Sequence, residues 1–205
     1  MSNEKKLGGW QECSYRLTGR TALIFHNGQL ADPLNYYAKE MKKLTGKKAK
    51  TEADHERIAE IEFKGGLYLN EDKRVIMPPE GIEAIVVAGA KKSKNGMNAK
   101  AGVYCPEAAL LEYDGPTDPD ELWKDERFRL TTGVKVQNKR LQRTRPIFRK
   151  WAATITLMVN TEMVNEEELF NWIVTAGLTC GSFDWRPKHG QFLTERVVAA
   201  KKRAA

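Results

Sequence analysis

The chain has 205 residues, of which 30% are charged and 41% hydrophobic, and its 34 lysines and arginines exceed its 27 acids to give a formal net charge of +7. That length suits one domain with its own hydrophobic core, and the composition argues against wholesale disorder. No apolar run approaches the roughly 20 residues needed to cross a bilayer, and Met1 to Trp10 carries no hydrophobic signal region. The expected setting is therefore the cytoplasm, with no membrane partner.

Gln11 to Leu17 reads as a first strand, followed by the short apolar run Leu23–Ile24–Phe25 and a turn at His26–Asn27–Gly28. Pro33 opens a helix with Leu34, Tyr37, Ala38 and Met41 on one stripe. Lys42 to Lys50 is basic and loop-like. Thr51 caps a second helix with Glu52 and Asp54 in its first turn. A hairpin over Leu67–Leu69 and Arg74–Met77 follows. Pro78–Pro79 then starts a helix whose Ile82, Ile85, Val86 and Gly89 have the spacing of a buried face. Lys91 to Gly102 reads as a lysine-rich loop, Ala108 to Tyr113 as a strand, and Asp118–Pro119 as the start of a short helix.

The last third is the most regular. Phe128 to Val136 and Trp151 to Val159 alternate as strands, and Ala153, Ile155, Leu157 and Val159 share one face. Asn165 with Glu168 forms a capping-box pattern ahead of Leu169, Trp172, Ile173 and Ala176, and Gly177 ends that helix. A loop leads to a last strand, Gln191 to Val198. The order strand, helices, two strands, helix, strand predicts an α+β protein with a ferredoxin-like (RRM-like) antiparallel core. One domain would span 1–198, with insertions near 26–78 and 91–126 and a basic tail over 199–205.

No catalytic constellation is recognisable. Phosphate-binding glycine motifs and the G-x-S-x-G elbow are absent from the sequence. Cys13, Cys105 and Cys180 are far apart and read as reduced thiols. His26, His55 and His189 lack metal-ligand spacing. Neither a metal nor a cofactor is expected. Asp184 and His189 could pair as acid and base, but no nucleophile accompanies them, and Asp184 is read as a partner of Arg186 or a loop cap.

Charge is segregated along the chain. Lys135 to Lys150 holds seven basic residues and no acid, while Glu107 to Glu126 holds eight acids against Lys124. Lys139, Arg140, Arg143, Arg145, Arg149 and Lys150 flank Phe148 and Trp151 in what reads as a strand-to-strand connection. Such residues can meet phosphates while aromatics stack on bases. Phe148 and Trp185 are the stacking candidates. Arg186 and the lysines Lys91, Lys92 and Lys94 complete the candidate nucleic-acid-binding set. In the loop Cys180 to Gly190, Trp185 is expected to be buried as the anchor.

The pattern Arg143-Thr144-Arg145-Pro146 with Trp151, the capped helix, Ala176–Gly177 and Asp184-Trp185-Arg186-Pro187 with Gly190-Gln191-Phe192 resembles a group of small uncharacterised bacteriophage proteins. The match covers mainly the last third, with fainter agreement at Leu23 to Asn27. The glycine-bearing loop after the last helix is also similar, in architecture only, to the RNA-binding repeat-associated (RAMP) proteins of CRISPR complexes. The chain lacks their fuller glycine-rich loop and any match to a cleavage site, so the resemblance implies binding rather than nuclease activity. The expected function is non-catalytic, sequence-tolerant binding of single-stranded RNA or DNA by a phage-encoded protein in the host cytoplasm, with possible self-assembly. The alternative is a protein–protein module such as a virion component, or an inhibitor or adaptor of a host complex.

Overall fold

The computed structural model describes residues 9–136 and 139–197, with the side chains of 134–136, 139 and 140 left out of the description. In chain order the elements are β1 (Trp10–Gly19), β2 (Leu23–Ile24), α1 (Tyr36–Thr45), α2 (Glu52–Gly66), β3 (Ile76–Met77), α3 (Pro79–Lys92), α4 (Gly96–Gly102), β4 (Val103–Tyr104), β5 (Ala109–Leu110), α5 (Pro119–Lys124), β6 (Arg129–Val136), β7 (Lys139–Phe148), β8 (Ala152–Asn160), α6 (Glu166–Thr175) and β9 (Phe192–Arg196). The chain is thus α+β, and its sheets are antiparallel.

Side-chain alternation builds the main sheet, whose order is β4-β8-β1-β9. Cys13, Tyr15 and Leu17 of β1 lie opposite Leu157, Ile155 and Ala153 of β8. All six are buried, because period-two alternation sends them to one face. Helices α3 and α6 cover that face with Ile82, Ile85 and Val86 from one and Leu169, Trp172 and Ile173 from the other. The opposite face is polar and open, with Ser14 bonded to Thr156 at 3.1 Å. The path through this layer is β1, α3, β4, β8, α6, β9.

Local signals set the helix starts. Thr51 Oγ1 accepts from the Asp54 N–H, and the Asp54 carboxylate accepts from the Thr51 N–H. Asn165 and Glu168 make the same reciprocal box at α6, which satisfies two N–H groups that a helix start leaves open. The last turn of α6 does not stop at Gly177 as expected. It widens into a π turn, Ala176–Cys180, where a Cβ on Gly177 would lie 2.4 Å from the Phe192 carbonyl oxygen.

A second sheet, β2-β7-β6, stands beside the first. Strands β6 and β7 pair from Arg129↔Pro146 to Val136↔Lys139 as one long hairpin. Two expectations change here. The run from Lys139 to Phe148 is a ten-residue strand and not a connection. The strand predicted at Phe128 to Val136 is its hairpin partner, and the fourth strand of the main sheet is the two-residue β4, directly after the stretch Lys91 to Gly102 that was expected to be a lysine loop. That stretch holds the last turn of α3 and the whole of α4. The hairpin expected over Leu67–Met77 is reduced to a single bridge, Leu69↔Val75, and β3 pairs instead with β5.

An aromatic cluster ties the second sheet to its surroundings. Phe25 lies 5.4 Å from Phe148, 5.2 Å from Tyr68 and 4.7 Å from Phe183, while Tyr113 lies 4.8 Å from Phe148. Among the described residues no helix is long and apolar enough to cross a membrane.

The crossing of α3 and α6 depends on Gly89. A Cβ there would sit 1.9 Å from the Trp172 carbonyl oxygen, which is backbone and cannot rotate away. Gly89→Ala should destabilise the fold by about 3 kcal/mol, at the upper end of overpacking costs. Gly133→Ala, where nothing lies within 4 Å, should change stability by less than about 1 kcal/mol. Urea unfolding of the two variants makes the comparison.

Candidate functional site

The basic residues predicted from sequence separate into three places. Along β7, alternation puts Arg143 and Arg145 on one face, both half-buried. Arg143 pairs with Glu62, which is 6% exposed, and the other Glu62 oxygen accepts from the Thr144 N–H at 3.0 Å. Arg145 pairs with Asp184. The run that holds no acid in sequence is therefore supplied with acids by α2 and by the loop before β9. Asp184 meets neither Arg186 nor His189, the partners considered from sequence.

Arg149 and Lys150 lie elsewhere, around a hollow shared with Asp114, Glu126 and Phe128, where Arg149 donates to the Arg127 carbonyl oxygen. Lys139 and Arg140 begin β7, and their side chains lie outside the described residues. Phe148 is fully buried within the aromatic cluster, so it presents no face to a base and is removed from the stacking candidates.

The loop from Gly181 to Gln191 is held by main-chain geometry. The Asp184 N–H donates to the Ile24 carbonyl at 3.1 Å and the Gly190 N–H to the Ala22 carbonyl at 2.8 Å. Ser182 Oγ donates to the Gly190 carbonyl at 2.9 Å. Gly181 and Gly190 have φ of +67° and +70°, which glycine adopts without a steric penalty. The anchor is Phe183, inside the aromatic cluster, and not Trp185. Trp185 is half-buried, with the Arg145 guanidinium 5.7 Å from its ring centre and the His189 ring at 5.9 Å. His189 Nδ1 is buried with no hydrogen-bond partner among the described residues.

The next residue, Arg186, is exposed and lines an open groove of about 710 Å3 with Lys91 and Lys92 of α3 and Lys100 of α4. None of these four cations has an ion-pair partner among the described residues. Glu80 and Glu83 share the groove, and Glu83 accepts from the Cys105 N–H at 2.9 Å. Lys94, in the turn between the two helices, is exposed but is not part of this lining. Lys100 joined the set only through the fold: helix α4 carries it back toward the end of α3, and no local pattern marks that return.

A smaller pocket of about 350 Å3 lies against β7, lined by His26, Leu30, Ala31, Met41, Glu62 and the residues 143–145. His26 keeps an exposed edge, yet lost hydration of the ring, followed by the nearby Arg145 charge, lowers its pKa, with Asp184 and Glu62 opposing. Among the described residues no group of three or more acidic, histidine or cysteine side chains could hold a metal.

No protein-family model matches this sequence, and no curated protein matches it either.

Two stability measurements follow from this geometry. Glu62→Ala strands the Arg143 guanidinium and leaves the buried Thr144 N–H without its acceptor, which should cost about 2–4 kcal/mol. Phe183→Ala should cost about 3 kcal/mol as a large-to-small change in an aromatic cluster, and Trp185→Ala less than half of that. Urea titrations of the three single variants check both the ion pair and the choice of anchor.

Proposed function

We propose that this protein binds single-stranded nucleic acid without sequence preference, along a cationic track formed by Lys91, Lys92, Lys100 and Arg186 with Trp185 beside it. One observation carries this reading. Consecutive residues of one loop link the two cation sets: Asp184 and Trp185 contact Arg145 on the hairpin, and Arg186 enters the groove with the three lysines. Cations without partners are free to exchange counterions for phosphates. A half-buried indole beside them suits base stacking, which tolerates any sequence because every base has a flat face.

The core is read as ferredoxin-like. The path β1, α3, β4, β8, α6, β9 and the order β4-β8-β1-β9 fit the split β-α-β arrangement. A bacteriophage origin remains part of the proposal, resting on the resemblance of the last third. The protein–protein alternative is disfavoured by the acidic segment itself. Glu112 pairs with Arg16, Asp120 with Lys64, Glu121 with Lys124, Asp125 with Arg127 and Glu126 with Arg129, which leaves fewer free carboxylates for a basic partner.

Fluorescence anisotropy with labelled RNA and DNA strands of roughly 12 nucleotides, a length within the span of a small single-strand-binding fold, tests the track. Replacing Lys91, Lys92, Lys100 and Arg186 together with alanine should reduce the log–log salt slope by about 3, at roughly 0.7 per lost phosphate contact. Trp185→Ala should weaken binding by about 1–3 kcal/mol per stacked base at every sequence alike. A fourfold variant with an unaltered melting curve and an unaltered slope refutes the track.

A further inference from the structure

The pocket against β7 is not part of the groove, and its chemistry is different. Its lining combines the guanidinium groups of Arg143 and Arg145 and the imidazole of His26 with the apolar side chains of Leu30, Ala31 and Met41. We propose that this pocket is a subsite for a single nucleotide bearing a phosphate monoester. The phosphate would lie on the arginines and the base against the apolar wall. Where that nucleotide is the end of a bound strand, the inference rests on the nucleic-acid-binding reading above.

The hydrogen-bond inventory motivates the phosphate. Arg143 has five N–H donors, and one of them goes to Glu62. Arg145 donates from Nη1 to Asp184, while its Nε is shielded from solvent and has no hydrogen-bond partner among the described residues. That nitrogen is closed to a ligand, so the donors a phosphate can meet are the remaining Nη groups of the two guanidiniums, each of which spends one Nη1 donor on its carboxylate. Glu62 is the acid in the lining, and both of its oxygens are engaged by Arg143 and the Thr144 N–H. Asp184 pairs with Arg145 from the loop and is not part of the lining. A monoester brings three terminal oxygens and a charge near −2, and planar guanidinium forks match it well.

The apolar wall motivates the nucleoside. Inorganic phosphate would leave Leu30, Ala31 and Met41 uncovered, whereas a volume of about 350 Å3 is at the small end of the roughly 300–1,000 Å3 range of ligand pockets. One mononucleotide fills such a space and a longer segment does not. Two sources share this chemistry, the phosphorylated end of a strand and a free nucleotide, and the probes below separate them.

The test compares one strand in three forms, with a 5′-phosphate, a 3′-phosphate or hydroxyls at both ends, together with AMP and inorganic phosphate as competitors. Wild type should bind one phosphorylated form about tenfold or more tighter than the hydroxyl form, a difference readily resolved in affinity. AMP should displace that advantage, and inorganic phosphate should do so far less well. Met41→Trp, which fills the pocket and leaves every cation in place, should bind the phosphorylated and hydroxyl strands alike with the wild-type affinity for the hydroxyl strand. Ala31→Phe serves as a second filling variant should Met41→Trp lower the melting temperature. Equal binding of all three strand forms by wild type overturns the inference and leaves the track intact. Failure of every strand to bind, with AMP held by wild type and lost in Met41→Trp, supports the pocket and refutes the track. A terminal-phosphate preference that survives both filling variants places the phosphate elsewhere and overturns the inference.

Discussion

The link between the hairpin arginines and the groove depends on how the segment before β9 is fastened to the start of β2. The chain leaves α6 through a π turn, reverses at Gly181, and lays Asp184 and Gly190 against the carbonyls of Ile24 and Ala22. Those two main-chain bonds, with Phe183 in the aromatic cluster, fix the loop between the two sheets. From that position Asp184 reaches β7 and Arg186 reaches the groove by α3 and α4. A loop carried only by solvent-exposed bonds would not join the two cation sets. Gly190 is part of the constraint because a Cβ there would lie 2.2 Å from the Ser182 carbonyl oxygen.

Polar satisfaction explains why the most basic stretch of the chain is not its most available cationic surface. Arg143 and Arg145 are half-buried, where an unpaired charge would be expensive, and the fold supplies Glu62 and Asp184 to meet them. Lys91 and Lys92 at the end of α3, Lys100 on α4 and Arg186 are among the described cations that have no such partner. They are in water, so the fold has no need to neutralise them. Linear charge density and available charge therefore point to different residues in this protein. Substituting Arg143 or Arg145 perturbs packing as well as charge, whereas substituting Lys91 or Arg186 perturbs mainly the surface field.

Much of the main sheet and its helices was legible because their signals are local. The alternation in β1 and β8, the Pro78–Pro79 start of α3 and the Asn165–Glu168 box of α6 each follow from residues within a few positions of one another. Strand β4 was not legible, since two residues cannot display a period, and only its pairing of Val103 with Val159 and Tyr104 with Met158 defines it. Strand β7 was hidden by its own charge. Lys139 to Arg145 reads as a solvated connection until Glu62, 81 positions before Arg143, is seen to pair with it. The choice between Phe183 and Trp185 as loop anchor was equally closed to the sequence. Both are aromatic, and only the position of Phe25 and Tyr68 selects the first.

Backbone conformation separates those two aromatics further. Phe183 and Trp185 have φ of +57° and +54°, in a region that costs a side-chain-bearing residue about 1–2 kcal/mol. At Phe183 the packing of the ring against Phe25 and Tyr68 offsets that cost and accounts for the conformation. Trp185 is less deeply packed, and its neighbours are the Arg145 guanidinium and the His189 ring. Core packing alone does not explain why a large indole is held there in a strained conformation. Strained residues held by their surroundings cluster where a protein presents a group for use. The left-handed turn at Trp185 places its ring beside Arg145 and sends the next residue, Arg186, into the groove. The turn holds an aromatic face between Arg145 and Arg186, and this is the physical ground for proposing Trp185 as the centre of a binding surface.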